Sequence, residues 1–447
     1  MKAPLLVLSK GVEQSFPTRR GYRIYLTFTE SRGESCEALE GKEAGGFGEI
    51  YEPVFSVYDR KYSSYPAREV TYESMLKELQ VVASKLEGKE FRVPASSRGI
   101  AKALHMADLS QVSAPVAYGF QQCILIGLSQ LIDCSLLDAI GAALGKTRRS
   151  SHVSINGFAS MRSGQASNSS PPLCSPPSFS SPSPPPPSLP HGSVKVQRPT
   201  QILKLKVGDA HGTCCLSDAL RVNDLVAESQ LQSVKAQGRW LRLDANQSWS
   251  IEQAVTFGDA LTFDAVEAIE YVEEPLRFED VIDYKTRSAC YDEIRRKCAN
   301  WRRLTITLDE SLVQLEVYTS EAILHSLADP SRTPGRWHAV VKPSLLSFDC
   351  RYLRLEGGQV TISCTFESGL GLAFLVCLSS FFEGSHGVHA KADMAEVDSS
   401  TREFTSLLHE RDRAMGGGMA VVVSEAVKML MTYARTRAAG NAEETSE

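Results

Sequence analysis

Short runs of β-forming residues recur along the last two thirds of the chain, and four of them end in a charged residue. They fall at 152–158, 202–207, 241–244, 268–273, 304–309, 339–342 and 360–365, with a weaker one at 387–390. From the second onward most begin about 20 to 40 residues after the one before, the length of a strand, a helix and two loops. This recurrence predicts an α/β fold, a (β/α)7β-type TIM barrel, with a flavodoxin-like open sheet as the other closure of the same units.

Other periodicities divide the chain. Residues 22–28 alternate in polarity and a Gly-rich run follows at 45–48, which predicts antiparallel hairpins. Apolar positions Met75, Leu76, Leu79, Val82 and Leu86 then repeat at helical spacing, as does the stretch 116–144. Residues 1–148 are therefore expected to form an α+β capping domain, 149–390 the barrel, and 391–447 a C-terminal helical tail. Ten of the 21 prolines lie between Pro171 and Pro190. No core can form from such a stretch, so 163–193 reads as a disordered Pro/Ser-rich insertion within the barrel.

Composition narrows the partners. With 48 Lys and Arg against 53 Asp and Glu, the net charge of −5 offers no general attraction to nucleic acid or anionic membranes. No apolar run approaches the roughly 20 residues of a membrane span, and the N-terminus lacks a signal-peptide core, so a soluble, unsecreted chain is expected. The 11 cysteines are scattered and read as reduced thiols.

The charges carry the chemistry. Strand periodicity puts Lys204 and Lys206 on one face of their run, and Arg242 with Asp244 on one face of the next. Glu273 and Asp309 end two further runs, and Lys342 ends another. At the C-terminal mouth of a barrel Asp244, Glu273 and Asp309 meet although 29 and 36 residues separate them. Three converging carboxylates repel unless a cation joins them, and an all-oxygen set suits Mg²⁺, with Mn²⁺ as a substitute, better than zinc. Lysines on both sides of such an ion suit removal of a proton beside a substrate carboxylate, giving an enediolate. Glu274 reads either as a helix cap or as an acid supporting the set. Taken singly, a Lys-x-Lys is more often a solvated strand face and an acid at a strand end a helix cap; their occurrence on consecutive strands favours a site.

The motifs Lys204-Leu205-Lys206-Val207-Gly208, Asp244-Ala245-Asn246, Glu273-Glu274-Pro275, Asp309-Glu310-Ser311, Lys342-Pro343-Ser344 and Glu367-Ser368-Gly369-Leu370-Gly371 resemble, in order, those of o-succinylbenzoate synthase in the muconate-lactonizing branch of the enolase superfamily. The nearest flavour is the synthase portion of the multifunctional phylloquinone-pathway protein of plants and algae. The resemblance implies dehydration of 2-succinyl-6-hydroxy-2,4-cyclohexadiene-1-carboxylate to o-succinylbenzoate, on the way to menaquinone or phylloquinone. It implies Mg²⁺ ligation by Asp244, Glu273 and Asp309, Lys206 as the acid/base tuned by Lys204, and Lys342 stabilising the enediolate from the opposite face. Arg242 and Asn246 would support the ligands, and Ser363, Glu367, Ser368 and Gly369 would approach the succinyl tail. Plastid residence and docking on pathway enzymes are further implications.

Ser347-Phe348-Asp349 departs from the small, glycine-type residues that the family has after the Lys342 motif. Two other readings stay open: an N-acylamino acid racemase or dipeptide epimerase, because lysines on both faces suit two-base proton transfer, and a non-catalytic barrel that docks on pathway neighbours.

Overall fold

The computed structural model describes residues 21–29, 43–51, 70–86, 97–106, 109–155, 157–160, 202–208, 215–231, 239–278, 284–312, 337–348, 353, 360–365, 367–388, 399–415 and 420–444. The Pro/Ser-rich stretch 163–193 and residues 389–390 lie outside them.

Strands β1 (Gly21–Thr29) and β2 (Glu43–Tyr51) form one antiparallel hairpin in unbroken register from Gly21↔Tyr51 to Thr29↔Glu43. Four helices follow: α1 (Tyr72–Leu86), α2 (Ser97–Met106), α3 (Ala114–Leu131) and α4 (Leu136–Leu144). Helix α3 is apolar on nearly every face and correspondingly buried along almost its whole length. It lies directly on β2. A Cβ on Gly46 would come within 2.0 Å of the Cys123 carbonyl oxygen, and one on Gly48 within 1.8 Å of that of Gly119. The Gly-rich run thus serves a close helix–sheet approach that no side chain permits.

The barrel strands are β3 (His152–Ile155) and β4 (Gly157–Ser160), which run nearly end to end, then β5 (Leu203–Lys206). After helix α5 (Cys215–Leu231) come β6 (Leu241–Asp244), helices α6 (Ile251–Ala260) and α7 (Phe263–Ala268), and β7 (Ile269–Glu273). Helix α8 (Tyr284–Lys297) leads to β8 (Ile306–Leu308), and β9 (Trp337–Val341) to the single turn α9 (Pro343–Leu346). Then follow β10 (Val360–Ile362), α10 (Gly369–Ser379) and β11 (Ser385–His386). The tail contains α11 (Ser399–Met415), β12 (Ala420–Val422) and α12 (Val423–Glu444).

Strands β4 to β10 form one sheet in sequence order with every pairing parallel. The ring then closes. Strand β11 pairs in parallel with β3, while Gly387 donates its N–H to the Ile362 carbonyl at 2.8 Å and accepts from Cys364 at 3.1 Å. Eight strand positions therefore surround one axis in a TIM-like α/β barrel, and an open flavodoxin-like sheet does not describe it. The predicted runs from 152 to 365 recur as strands with ends shifted by a few residues, and the strand nearest the weaker run at 387–390 is β11, just before it.

Packing outside the ring is aromatic as well as aliphatic. Trp249 stacks on Phe257 at 4.4 Å between centroids, and the fully buried Trp301 donates Nε1–H to the Ala254 carbonyl at 2.7 Å. Each such ring contributes roughly 2–3 kcal/mol through removal from water. Ser250 and Gln253 form a reciprocal capping box that starts α6.

The tail is not purely helical. Strand β12 adds antiparallel to β3, with Val422 opposite His152, and α12 crosses to the hairpin, where Tyr433 lies 2.6 Å from the Tyr25 hydroxyl.

Candidate active site

Because all the barrel strands run the same way, their C-terminal ends share one mouth. Register sets the side chains level: Lys206 stands opposite Asp244 and Asp244 opposite Glu273. Asp309 directly follows β8, and Lys342 follows β9 as the N-cap of α9. Gly208 turns the chain away after Lys206. It has φ +83°, and a Cβ there would come within 2.6 Å of Ser248.

The expected lysines and acids meet. Lys204 Nζ lies 3.0 Å from Asp244 Oδ2, donates to Glu273 Oε1 at 2.8 Å and lies 2.7 Å from Glu273 Oε2. Lys206 donates to Asp244 Oδ2 and to Asn246 Oδ1, the latter at 2.6 Å. Lys342 pairs with Asp309 at 2.5 Å and lies 3.8 Å from Glu310. Asp244, Glu273 and Asp309 are buried, whereas the Lys206 side chain is 37% exposed and reaches the open side of the mouth.

The electrostatics follow from this crowding. Burial works against the charged forms of Asp244 and Lys204. The two lysines nevertheless hold Asp244 well below the usual carboxylate range, and Asp244 with Glu273 raises Lys204. Burial likewise opposes a charged Lys342, but Asp309 and Glu310 raise it. Burial, then Glu310, pushes Asp309 up, and the same two causes bring Glu274 up to about 7.

Three non-glycine residues at these strand ends occupy the left-handed region: Asn246 (φ 46°), Gln247 (φ 55°) and Glu274 (φ 42°). Asparagine tolerates it; for glutamate the cost is about 1–3 kcal/mol, sustained only where surrounding contacts impose it.

The remaining expected residues separate from this group. Arg242 is buried within the ring, bonded to Glu270 at 2.7 and 3.0 Å and lying over the Tyr271 ring at 4.8 Å. Ser363 pairs through its backbone with Gly387 in the closing seam. Glu367 accepts from Ser344 Oγ at 2.7 Å and from the Thr365 N–H at 2.5 Å. Ser368 caps α10 and donates to Glu49 at 2.6 Å, and Gly369 donates its N–H to Thr401 Oγ1 at 2.8 Å. Ser368 and Gly369 thus join the hairpin and the tail to the barrel. Phe348 is buried, packs edge-on against Phe374 and donates its N–H to Gln121 Oε1 at 2.9 Å.

Sequence reasoning missed Glu310 beside Lys342, and Glu49, which appears only as the end of a Gly-rich run. It also missed a buried histidine pair, His338 on β9 and His386 on β11, each lowered to about 3 by burial and then by Arg242. No local pattern marks these; each depends on which strand lies alongside.

The donor set fits a hard divalent ion. Asp244, Glu273 and Asp309 offer only oxygen, and no donor is aligned on the buried Glu273 Oε2. Among the described residues no group of three or more His, Cys, Asp or Glu side chains is already gathered to hold a metal ion.

No family model matches the chain. A curated protein, PHYLLO, chloroplastic, of Arabidopsis thaliana, is 29% identical over 195 residues, 42% of this chain and 10% of that one. The chain is similar to part of PHYLLO. This agrees with the resemblance drawn from the motifs, and the chain spans about a tenth of that relative's length. Among solved structures, a member of the enolase superfamily from Roseovarius nubinhibens ISM has a TM-score of 0.48 at 14% identity, covering 86% of this chain and 80% of that one. An o-succinylbenzoate synthase from Thermosynechococcus elongatus BP-1, complexed with Mg in the active site, has 0.43 at 18%, covering 83% and 84%. Among the described residues no helix is long and apolar enough to cross a membrane.

Proposed function

We propose that the chain is a Mg²⁺-dependent lyase, an o-succinylbenzoate synthase that dehydrates 2-succinyl-6-hydroxy-2,4-cyclohexadiene-1-carboxylate in menaquinone or phylloquinone formation. The observation that carries this reading is the convergence of Lys204, Lys206, Asp244, Glu273, Asp309 and Lys342 at one barrel mouth. The motifs and the similarity to PHYLLO support the particular reaction and a plastid setting.

Asp244, Glu273 and Asp309 would hold Mg²⁺, or Mn²⁺ in its place, which when bound supplies positive charge to the substrate carboxylate as the enediolate forms. Lys206, the most exposed of the three lysines, takes the α-proton and returns it to the departing hydroxyl, so that water leaves and the ring becomes aromatic. Asn246 orients the Lys206 ammonium through its Oδ1. Lys204, paired with Asp244 and Glu273, places a second ammonium group beside Lys206. Lys342, coming from β9 beyond the three acids, faces the developing ring and stabilises its charge. Arg242 supports the site from below through Glu270 and Tyr271.

The test is turnover of purified protein on the cyclohexadiene substrate, with Mg²⁺ and with EDTA, following the aromatic product. Metal-dependent turnover is expected. Its absence in a folded sample, together with exchange of the α-proton of N-acylamino acids or dipeptides with solvent deuterium, would replace the lyase by a racemase or epimerase. Absence of both activities would leave a barrel that acts by docking on pathway enzymes.

A further inference from the structure

We infer that Glu274 is a positioning residue that fixes the spacing of the three acids Asp244, Glu273 and Asp309, and thereby the size of cation they accept. This rests on the metal site proposed above. Glu274 is completely buried next to Glu273, its carboxylate lies at the start of the helical turn that begins at Glu310, and Lys204, Lys206 and Lys342 pair with other acids. Its Oε1 accepts the backbone N–H groups of both Asp309 and Ser311 at 2.8 Å. Its Oε2 accepts from Ser311 Oγ at 2.7 Å and from Gln247 Nε2 at 3.3 Å. The backbone continues the link: the Gln247 N–H donates to the Glu274 carbonyl at 2.7 Å, and the Glu274 N–H donates to the Thr307 carbonyl at 2.9 Å.

One residue therefore joins the ends of β6, β7 and β8, the three strands that present Asp244, Glu273 and Asp309. Its left-handed backbone, unusual for glutamate, is what turns the side chain from the line of β7 toward the loop after β8. Arg287 of α8 secures the far side by donating to Ser311 Oγ at 2.5 Å. A small ion that demands short, regular oxygen contacts needs ligands held at fixed separation, whereas a larger ion tolerates a looser set. A carboxylate that accepts four hydrogen bonds from two neighbouring strand ends supplies that rigidity, in the manner of groups that orient metal ligands without touching the metal.

The experiment is Mn²⁺ binding by full-length protein, followed by electron paramagnetic resonance, with competition by Mg²⁺ and by Ca²⁺, in the wild type, E274Q and S311A. Circular dichroism establishes that each variant is folded. In E274Q the amide end that replaces one oxygen can no longer accept from Gln247. Mn²⁺ binding should weaken about 10- to 100-fold, and the preference for Mg²⁺ over Ca²⁺ should fall several-fold. S311A, which removes one of the four hydrogen bonds, should shift both in the same direction by a smaller factor, and it carries the test if E274Q does not fold. A folded E274Q, or failing that S311A, with wild-type affinity and unchanged Mg²⁺/Ca²⁺ preference would overturn the assignment while leaving the metal site in place. A wild type that binds none of the three ions would overturn both.

Discussion

Two buried clusters in this molecule each set acids against cations, and they are finished to different degrees. Where the hairpin meets α10, Glu49 Oε1 accepts from Arg23 Nε at 2.9 Å and Nη2 at 2.5 Å, and Oε2 accepts from Tyr51 at 2.8 Å and the Gly371 N–H at 3.0 Å. Ser368 Oγ lies 2.6 Å from both oxygens. Every lone pair of that carboxylate is used. At the barrel mouth Glu273 Oε2 has the Lys204 ammonium 2.7 Å away but no aligned hydrogen bond, and the buried Thr307 hydroxyl has no hydrogen-bond partner. A cluster whose polar atoms are all satisfied has no capacity left for a ligand and acts as a joint, while one with unmet capacity is suited to an ion and a substrate.

The sharpest way to break this contrast is at the mouth. Lys206→Ala should lower turnover roughly 1,000-fold while Mn²⁺ binding stays intact, and Asp244→Asn should weaken ion binding as well; steady-state kinetics beside metal titration separates the two. Near-normal turnover in Lys206→Ala would remove the assigned base. At the joint the expected loss is in stability instead. Glu49→Gln strands the buried Arg23 guanidinium without its counterion, at a cost of about 3 kcal/mol in denaturant unfolding. Ion binding should be unchanged, because Glu49 contacts none of the mouth residues.

His338 and His386 sharpen the comparison from the ring interior. Both are lowered to about 3 from an ordinary value of 6.5, so the native state keeps them neutral and the unfolded chain binds more protons once pH falls below 6.5. Their contribution is complete above about pH 6.5 and declines by roughly 1 kcal/mol per pH unit for each imidazole as pH falls toward 3. Unfolding curves at pH 7 and pH 5 should differ by a few kcal/mol, and the difference should shrink in His338→Gln. The smallest effect belongs to Ser347, whose φ of 63° and ψ of 166° suit glycine. Ser347→Gly should raise stability by about 1 kcal/mol, read as a shift of the unfolding midpoint with unchanged slope.

The mouth was far more legible than the joint, for a physical reason. Strand periodicity of two and the shared direction of parallel strands are local rules, so Lys204, Lys206, Asp244, Glu273, Asp309 and Lys342 could be placed together before any contact was known. The helices α1 and α3 and the hairpin were legible on the same terms. Glu49 with Ser368 was not, because their separation along the chain is 319 residues and nothing near either signals the other. Ser368 and Gly369, read as substrate-facing, instead serve this joint. Strand β12 was hidden because three residues carry almost no period, and its pairing is set by the free edge of β3. Glu274 reads as a cap or as an acid supporting the set, and its carboxylate lies both beside Glu273 and at the start of the helical turn after β8, a place that no local pattern in the sequence reveals.

The closing seam governs when this protein can fold. Strand β3 pairs on one side with β11 and on the other with β12, and the hairpin residue Arg23 reaches Tyr433 across 410 positions at 3.0 Å. At ribosomal speeds of about 5 to 20 residues per second, the hairpin waits roughly 20 to 80 s for the helix that covers it to be made. Until then the Tyr25 and Phe47 surfaces that meet Tyr433 face solvent. During synthesis one side of the hairpin therefore stays uncovered until the segment that carries Tyr433 has been made.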